Sequence, residues 1–437
     1  MHRQSVLLVL SISASLATPA ALRAQYTVPP TTISLPGAPV QELATDLAGG
    51  GRVIAVRPSA SAAVLETWGL SYKTTATTWT NLGATLPIGA RIVGGSPTLA
   101  FTLPSASTFS LVGNAWTTLP TPTTLPTAVD GYSLARLPSG SVLLFGGFDS
   151  AGANLAETWI FGGGSWQNLT PSVPVAPGAR RHAGMCGTSA GAVLAGGSNA
   201  AGALGDTWVF TEATKTWANT GVALPGGRTL AFAAFDSRNN VVLLAGGIST
   251  STIPVTQLDD ILTLSLSSLP LAWSVVRAGS GVGPIPVAYE PTHDEFIAAH
   301  FSGSFEFVVD NSSAANIGFG CSCLAPFADS SLQTTTVGGL RIGSSFTLTY
   351  NQANSSTATF FGFAPSTPFA PVQIPLFPPG CVFNLDPTLM SQVLLVGGVV
   401  VIVTIPADET LIGAAFRAQA LQFGLCSSDA LELRLRR

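Results

Sequence analysis

Between residues 38 and 312 the chain alternates short apolar runs with stretches rich in Gly, Pro, Ser and Thr. Runs of this length bounded by turn residues predict strands. Three of the runs are copies of one another: Leu143-Leu144-Phe145-Gly146-Gly147, Val193-Leu194-Ala195-Gly196-Gly197 and Leu243-Leu244-Ala245-Gly246-Gly247, with the Gly pairs fifty residues apart each time. Downstream of each comes an acid-containing strand: Glu157-Thr158-Trp159-Ile160-Phe161, Asp206-Thr207-Trp208-Val209-Phe210 and the weaker Asp259-Asp260-Ile261-Leu262. A second tryptophan follows, at Trp166, Trp217 and Trp273.

A fixed period of this size indicates a repeat architecture in which each unit buries its apolar face only against its neighbours. The order of apolar strand, Gly-Gly, loop, acid-x-Trp strand and second Trp resembles the kelch repeat. That resemblance implies four-stranded blades arranged as a β-propeller. A Gly pair at the end of a buried strand permits positive φ and close approach of backbones. The acid is expected to accept backbone hydrogen bonds at the strand entry, and the two tryptophans to wedge adjacent sheets apart. Decayed copies extend the array upstream through residues 51–56, Glu66-Thr67-Trp68 and Trp79, then through 97–103 and Trp116, and downstream through 288–300 and 305–309. All eight tryptophans fall at repeat positions. The fold expected is therefore all-β, with six blades over about residues 38–312 inside a propeller segment 25–312. The sixth blade lacks an outer strand, which residues 26–35 are expected to supply so that pairing of the chain ends closes the ring.

Beyond a linker at 313–317 the repeat tryptophans stop. Residues 318–437 alternate in strand fashion, as at 345–350, 357–363, 392–396, 399–405 and 431–435, and predict a small C-terminal β-sandwich. Gly318-Phe319-Gly320-Cys321, Gly380-Cys381-Val382-Phe383, Ile405-Pro406-Ala407-Asp408-Glu409 and Ala418-Gln419-Ala420 resemble a C-terminal module of secreted proteins of environmental bacteria; the chain departs from it in its basic end, Arg434-Leu435-Arg436-Arg437. The apolar stretch 393–405 is broken by Gly397-Gly398 and reads as two strands with a turn, too short for a membrane helix.

At the N-terminus, Arg3, a short apolar run and Leu22-Arg23-Ala24 have the form of a secretory signal peptide over 1–24. Only 9% of residues are charged, the net charge is −4 and there is no basic cluster, which argues against nucleic acid as a partner. The mean hydropathy of +0.44 rests on Gly-, Ala- and Val-rich strands rather than on any membrane span. In an exported chain Cys321, Cys323, Cys381 and Cys426 are expected to form two disulfides, a Cys321–Cys323 bridge being geometrically poor, while Cys186 reads as a small buried residue.

No catalytic constellation emerges. A copper-radical site needs two His, two Tyr and a cross-linked Cys in a recognisable arrangement, sialidase boxes are incomplete, and hydrolase, zincin and phosphate-loop motifs are absent, so neither metal nor cofactor is expected. Binding is the remaining reading. Similar propellers often bind through loops at one end of the central channel, and the resemblance points there to Arg91, Arg181, His182 and Arg228, just ahead of innermost strands. The expected function is that of a secreted recognition module for a protein, peptide or glycan, with the C-terminal domain serving attachment or sorting. A polysaccharide hydrolase or lyase acting through the same loops, and a structural cell-surface protein, are the alternatives.

Overall fold

The computed structural model describes residues 26–27, 32–35, 39–71, 77–249, 256–279, 285–291, 295–300 and 304–310, and beyond these the strand backbones between 314 and 434. The chain divides into two compact units, one of Thr27–Tyr72 and Thr77–Val308, the other containing Val309–Arg437.

In the larger unit five antiparallel sheets follow one another, each made of four strands taken in chain order from the inside out. Blade 1 holds Glu42–Asp46, Arg52–Pro58, Val64–Ser71 and Thr78–Pro87. Blade 2 is short, with Arg91–Val93, Leu99–Thr102, Ser107–Val112 and Ala115–Thr118. Blade 3 begins at Ser133–Arg136, blade 4 at Gly184–Gly187 and blade 5 at Phe232–Asp236. A sixth sheet orders Val287–Glu290, Glu295–Ala299 and Ser304–Asp310, and its outer partner comes from the other end of the sequence. Thr32–Ser34 pairs antiparallel with it, Ile33 opposite Phe305. The innermost strands lie side by side in a ring, that of the sixth sheet against that of blade 1. Among the described residues no helix is long and apolar enough to cross a membrane.

The continuous apolar runs seen in the sequence are the second strands. Val53–Val56, Val142–Phe145, Ala192–Ala195, Val241–Ala245 and Phe296–Ala299 are at most 3% exposed. A second strand is hydrogen-bonded on both edges and covered by a blade on each face, so both sets of alternating side chains are buried and the usual polar positions vanish. The Gly pairs that end these strands have φ of 69° and 98° in blade 3, 68° and 97° in blade 4, and 62° and 112° in blade 5. They also receive the next stretch of chain: Gly147 N–H donates to the Arg180 carbonyl at 2.9 Å and Gly197 N–H to that of Arg228 at 2.8 Å. A Cβ on Gly146 would stand 2.4 Å from the Arg180 oxygen, and one on Gly196 2.5 Å from that of Arg228. Both the backbone conformation and the space therefore exclude other residues here.

The acid before the first tryptophan of a blade does more than accept the backbone hydrogen bonds expected of it, such as the one Glu157 takes from the Thr127 N–H at 3.2 Å. Its carboxylate takes the indole N–H of that same tryptophan, Glu157 to Trp159 at 2.9 Å and Asp206 to Trp208 at 2.6 Å. The threonine between them serves the following blade. Thr67 accepts the indole N–H of Trp116, Thr158 that of Trp217 and Thr207 that of Trp273, at 2.9, 3.1 and 3.0 Å. Each of these threonines is fully buried. The second tryptophans are wedged between blades as expected, Trp217 packing on Phe145 of blade 3 and Phe210 of its own blade with ring centroids 5.3 and 5.1 Å away. Where a preceding blade lacks the acid-Thr-Trp sequence the acceptor is missing too, and the buried Nε1 atoms of Trp79 and Trp166 have no partner among the described residues.

In the second unit, strands at Ala314–Gly318, Thr357–Phe363, Met390–Leu394, Ala415–Gln422, Cys426–Ser427 and Ala430–Arg434 form one antiparallel sheet. Leu332–Thr334, Ser345–Tyr350 and Val400–Thr404 form another. Cys321, Cys323 and Cys381 lie outside the described residues, as does the side chain of Cys426. Cys186 is buried and free.

Candidate functional site

The chain enters each innermost strand through a turn that faces one end of the channel. Gly131, His182 and Leu230 hold equivalent places in blades 3, 4 and 5, all left-handed with φ of 69°, 54° and 57°. Their backbones link the blades in series: His182 N–H donates to the Gly131 carbonyl at 2.7 Å, and Leu230 N–H to the His182 carbonyl at 2.9 Å. Only glycine adopts this conformation freely, and histidine is among the few others that tolerate it. The residues just before these three, Asp130, Arg181 and Thr229, make matching bridges to Phe148, Ser198 and Ile248.

This register corrects the equivalence expected of the arginines. Arg228 precedes Thr229 and therefore matches Arg180, not Arg181. It is 2% exposed, and its guanidinium grips both oxygens of Asp260 at 2.6 and 3.0 Å and the Gly246 carbonyl at 3.2 Å. Arg180 repeats the arrangement on Asp206 and the Gly196 carbonyl. Burial works against the Asp206 carboxylate, but Arg180 and the Trp208 indole outweigh it and hold its pKa below the ordinary value. Arg228 is thus a strut inside blade 5 rather than part of a ligand site. Arg91, two residues past the left-handed Gly89, sits a step further in, on the innermost strand of blade 2. Unequal loop lengths between the Gly pairs and the next strands hid these shifts from sequence alignment.

Arg91 and His182 do meet at one mouth. They line a cavity of about 260 Å³ together with Gln41, Glu42, Asp130, Tyr132, Leu230 and Phe232. Glu42 accepts from Arg91 Nε and, at 2.6 Å, from the Ile92 N–H. The Arg91 guanidinium lies over the Tyr132 ring, 5.9 Å from its centroid. Burial raises the Glu42 pKa, and Arg91 offsets this only in part. Arg181 lies beside the same rim, its guanidinium over the Phe148 ring at 5.4 Å, and makes no ion pair among the described residues. Burial and the neighbouring Arg91 lower the pKa of His182, while Asp130 pulls the other way. At neutral pH this imidazole is a neutral donor and acceptor.

The mouth thus combines a cation resting on an aromatic face, a carboxylate at Asp130 and a neutral imidazole over an apolar floor. It is equipped to hold a ligand carrying an anionic group and hydroxyl or amide groups. Asp130 and Tyr132 were absent from the sequence expectation; the signal that locates them is their register with Arg181 and Ala183.

A kelch-repeat domain family, described as the KLHDC2/KLHL20/DRC7 Kelch-repeats domain, matches residues 88–291. Among solved structures, one titled "Structure of YjhT" is similar at 14% identity and a TM-score of 0.41, over 55% of this chain and 85% of that one. No curated protein matches the sequence.

Proposed function

We propose that this chain, whose larger unit is a kelch-type β-propeller, is a recognition module that is exported and binds an anionic protein, peptide or glycan at the mouth bearing Arg181 and His182. The observation that carries the reading is Arg181: a half-buried guanidinium held on an aromatic face beside a cavity, with no carboxylate on it among the described residues. Arginines kept for structure in this unit are paired, as Arg180 and Arg228 are. A cation left for a ligand favours carboxylate or sulfate through bidentate hydrogen bonds. Export is supported by the signal-like residues 1–24, and the C-terminal unit would then serve attachment or sorting, held by disulfides between the pair Cys321 and Cys323 and the pair Cys381 and Cys426.

The test is to pass the full chain over arrayed sulfated and carboxylated glycans and acidic peptides. Retention is expected for a subset of these, weakened by about 1–3 kcal/mol in Arg181→Ala with an unchanged melting temperature. Arg228→Ala is expected instead to destabilise the fold by about 3–5 kcal/mol, because it strands Asp260 without its partner. Failure of every array member to bind, or equal retention by Arg181→Ala, would refute the proposal.

A further inference from the structure

Behind the mouth runs the channel itself, a cavity of about 340 Å³ walled by residues 42–45 and 47, 91–95, 133–136, 183 and 185–187, 231–235 and 237, and 287–289 and 291, on and beside all six innermost strands. Small side chains fill much of the wall, and the large ones reaching it include Leu134, Met185, Phe232 and Phe235. Its charged lining residues are Glu42, Arg91 and Arg136. Glu42 and Arg91 neutralise one another at the mouth end. Arg136 stands at the opposite end, last in the strand Ser133–Arg136, and makes no ion pair among the described residues. Its Nη2 donates to the Ser96 carbonyl at 3.1 Å, whereas its Nη1 is buried and has no acceptor. Burial lowers its pKa, and no carboxylate counters the shift.

We propose that the central channel binds a small carboxylate with an apolar body, of the medium-chain aliphatic or arylalkyl class, its carboxylate on Arg136 and its body along Leu134, Met185, Phe232 and Phe235. The cavity lies in the size range of small-molecule sites, which are largely apolar with a few fixed polar groups. Its lining carries one negative and two positive charges, so an anion balances it. A partly buried guanidinium with one buried nitrogen lacking an acceptor gains from a charge-assisted partner there. The two cavities share Glu42, Arg91 and Phe232, but the carboxylate end of the site is distinct from the mouth, because Arg181 and His182 precede the innermost strand of blade 4 whereas Arg136 ends that of blade 3.

Titration calorimetry of the full chain with octanoate, 1-octanol and acetate tests this. Octanoate is expected to bind saturably and at least tenfold more tightly than either 1-octanol, which lacks the charge, or acetate, which lacks the body. Arg136→Gln is expected to abolish the preference for octanoate over octanol, Arg136→Lys to keep it, and Arg181→Ala to leave it unchanged. The proposal is overturned if octanoate does not bind saturably, if octanol or acetate equals it on the unaltered protein, if the preference survives Arg136→Gln, or if Arg181→Ala removes it. The comparison of the three probes on the unaltered protein stands even where Arg136→Gln does not fold.

Discussion

His182 carries three constraints at once: a left-handed backbone, hydrogen bonds to both neighbouring blades and an imidazole among charged groups. Its folded pKa lies below the ordinary 6.5, because burial and then Arg91 disfavour the imidazolium. The unfolded chain therefore takes up this proton first as pH falls. The contribution of neutral His182 to stability is complete above pH 6.5 and is lost as pH drops through its lowered folded value. In His182→Asn, which keeps a residue tolerant of positive φ, that loss is absent. Melting temperatures of the two proteins are expected to keep a constant offset above pH 6.5 and to shift in favour of the variant below it. Parallel curves down to pH 5 would contradict the assignment.

Within an element, the acid-Thr-Trp sequence unites two tasks, and the alternation of a strand explains why. The acid and the tryptophan are two apart and share a face, where the carboxylate reaches the indole; the threonine between them points the other way, into the next blade. The hydrogen bond from Trp217 to Thr158 is therefore a contact between blades. Thr158→Val leaves a buried indole N–H unpaired and is expected to cost about 1–3 kcal/mol. Combined with Trp217→Phe, it is expected to cost less than the sum of the two single changes by about 0.5–3 kcal/mol, as denaturant titration of all four proteins would reveal. Strict additivity would place the two side chains out of contact. In the C-terminal unit the two strands read from 393–405 are present as Met390–Leu394 and Val400–Thr404, but they join different sheets rather than pairing with each other.

For the molecule as a whole, closure of the ring depends on residues far apart in sequence. Thr32–Ser34 provides the outer partner of Ser304–Asp310, and the adjoining Leu35 is 2% exposed. Phe305 on that strand stacks against Trp79 of blade 1 with centroids 4.5 Å apart. Without the N-terminal strand an edge of the sixth sheet is unpaired. A chain shortened to begin at Gly37 is expected to melt several degrees lower by circular dichroism; an unchanged melt would show that the strand contributes nothing to closure.

The sequence by itself determined the repeat: the fifty-residue interval of the Gly pairs, the acid-Thr-Trp strands, the buried second strands and the spare N-terminal strand are local patterns whose physical demands hold wherever a blade stands. Five of the C-terminal strands were legible for the same reason, since alternation is read from neighbours in sequence. The tertiary structure alone decided what the polar groups do. Arg180 and Arg228 proved to be struts and Arg181 a cation at the rim, because a one-residue shift in register exchanges the blade interior for the channel mouth, and loop length sets that register. Glu42 comes from blade 1 and Asp130, Tyr132 and Arg136 from the start of blade 3, and each is unremarkable in its own segment. Only the closed ring brings them to a common axis, where burial and their mutual distances give them chemical meaning.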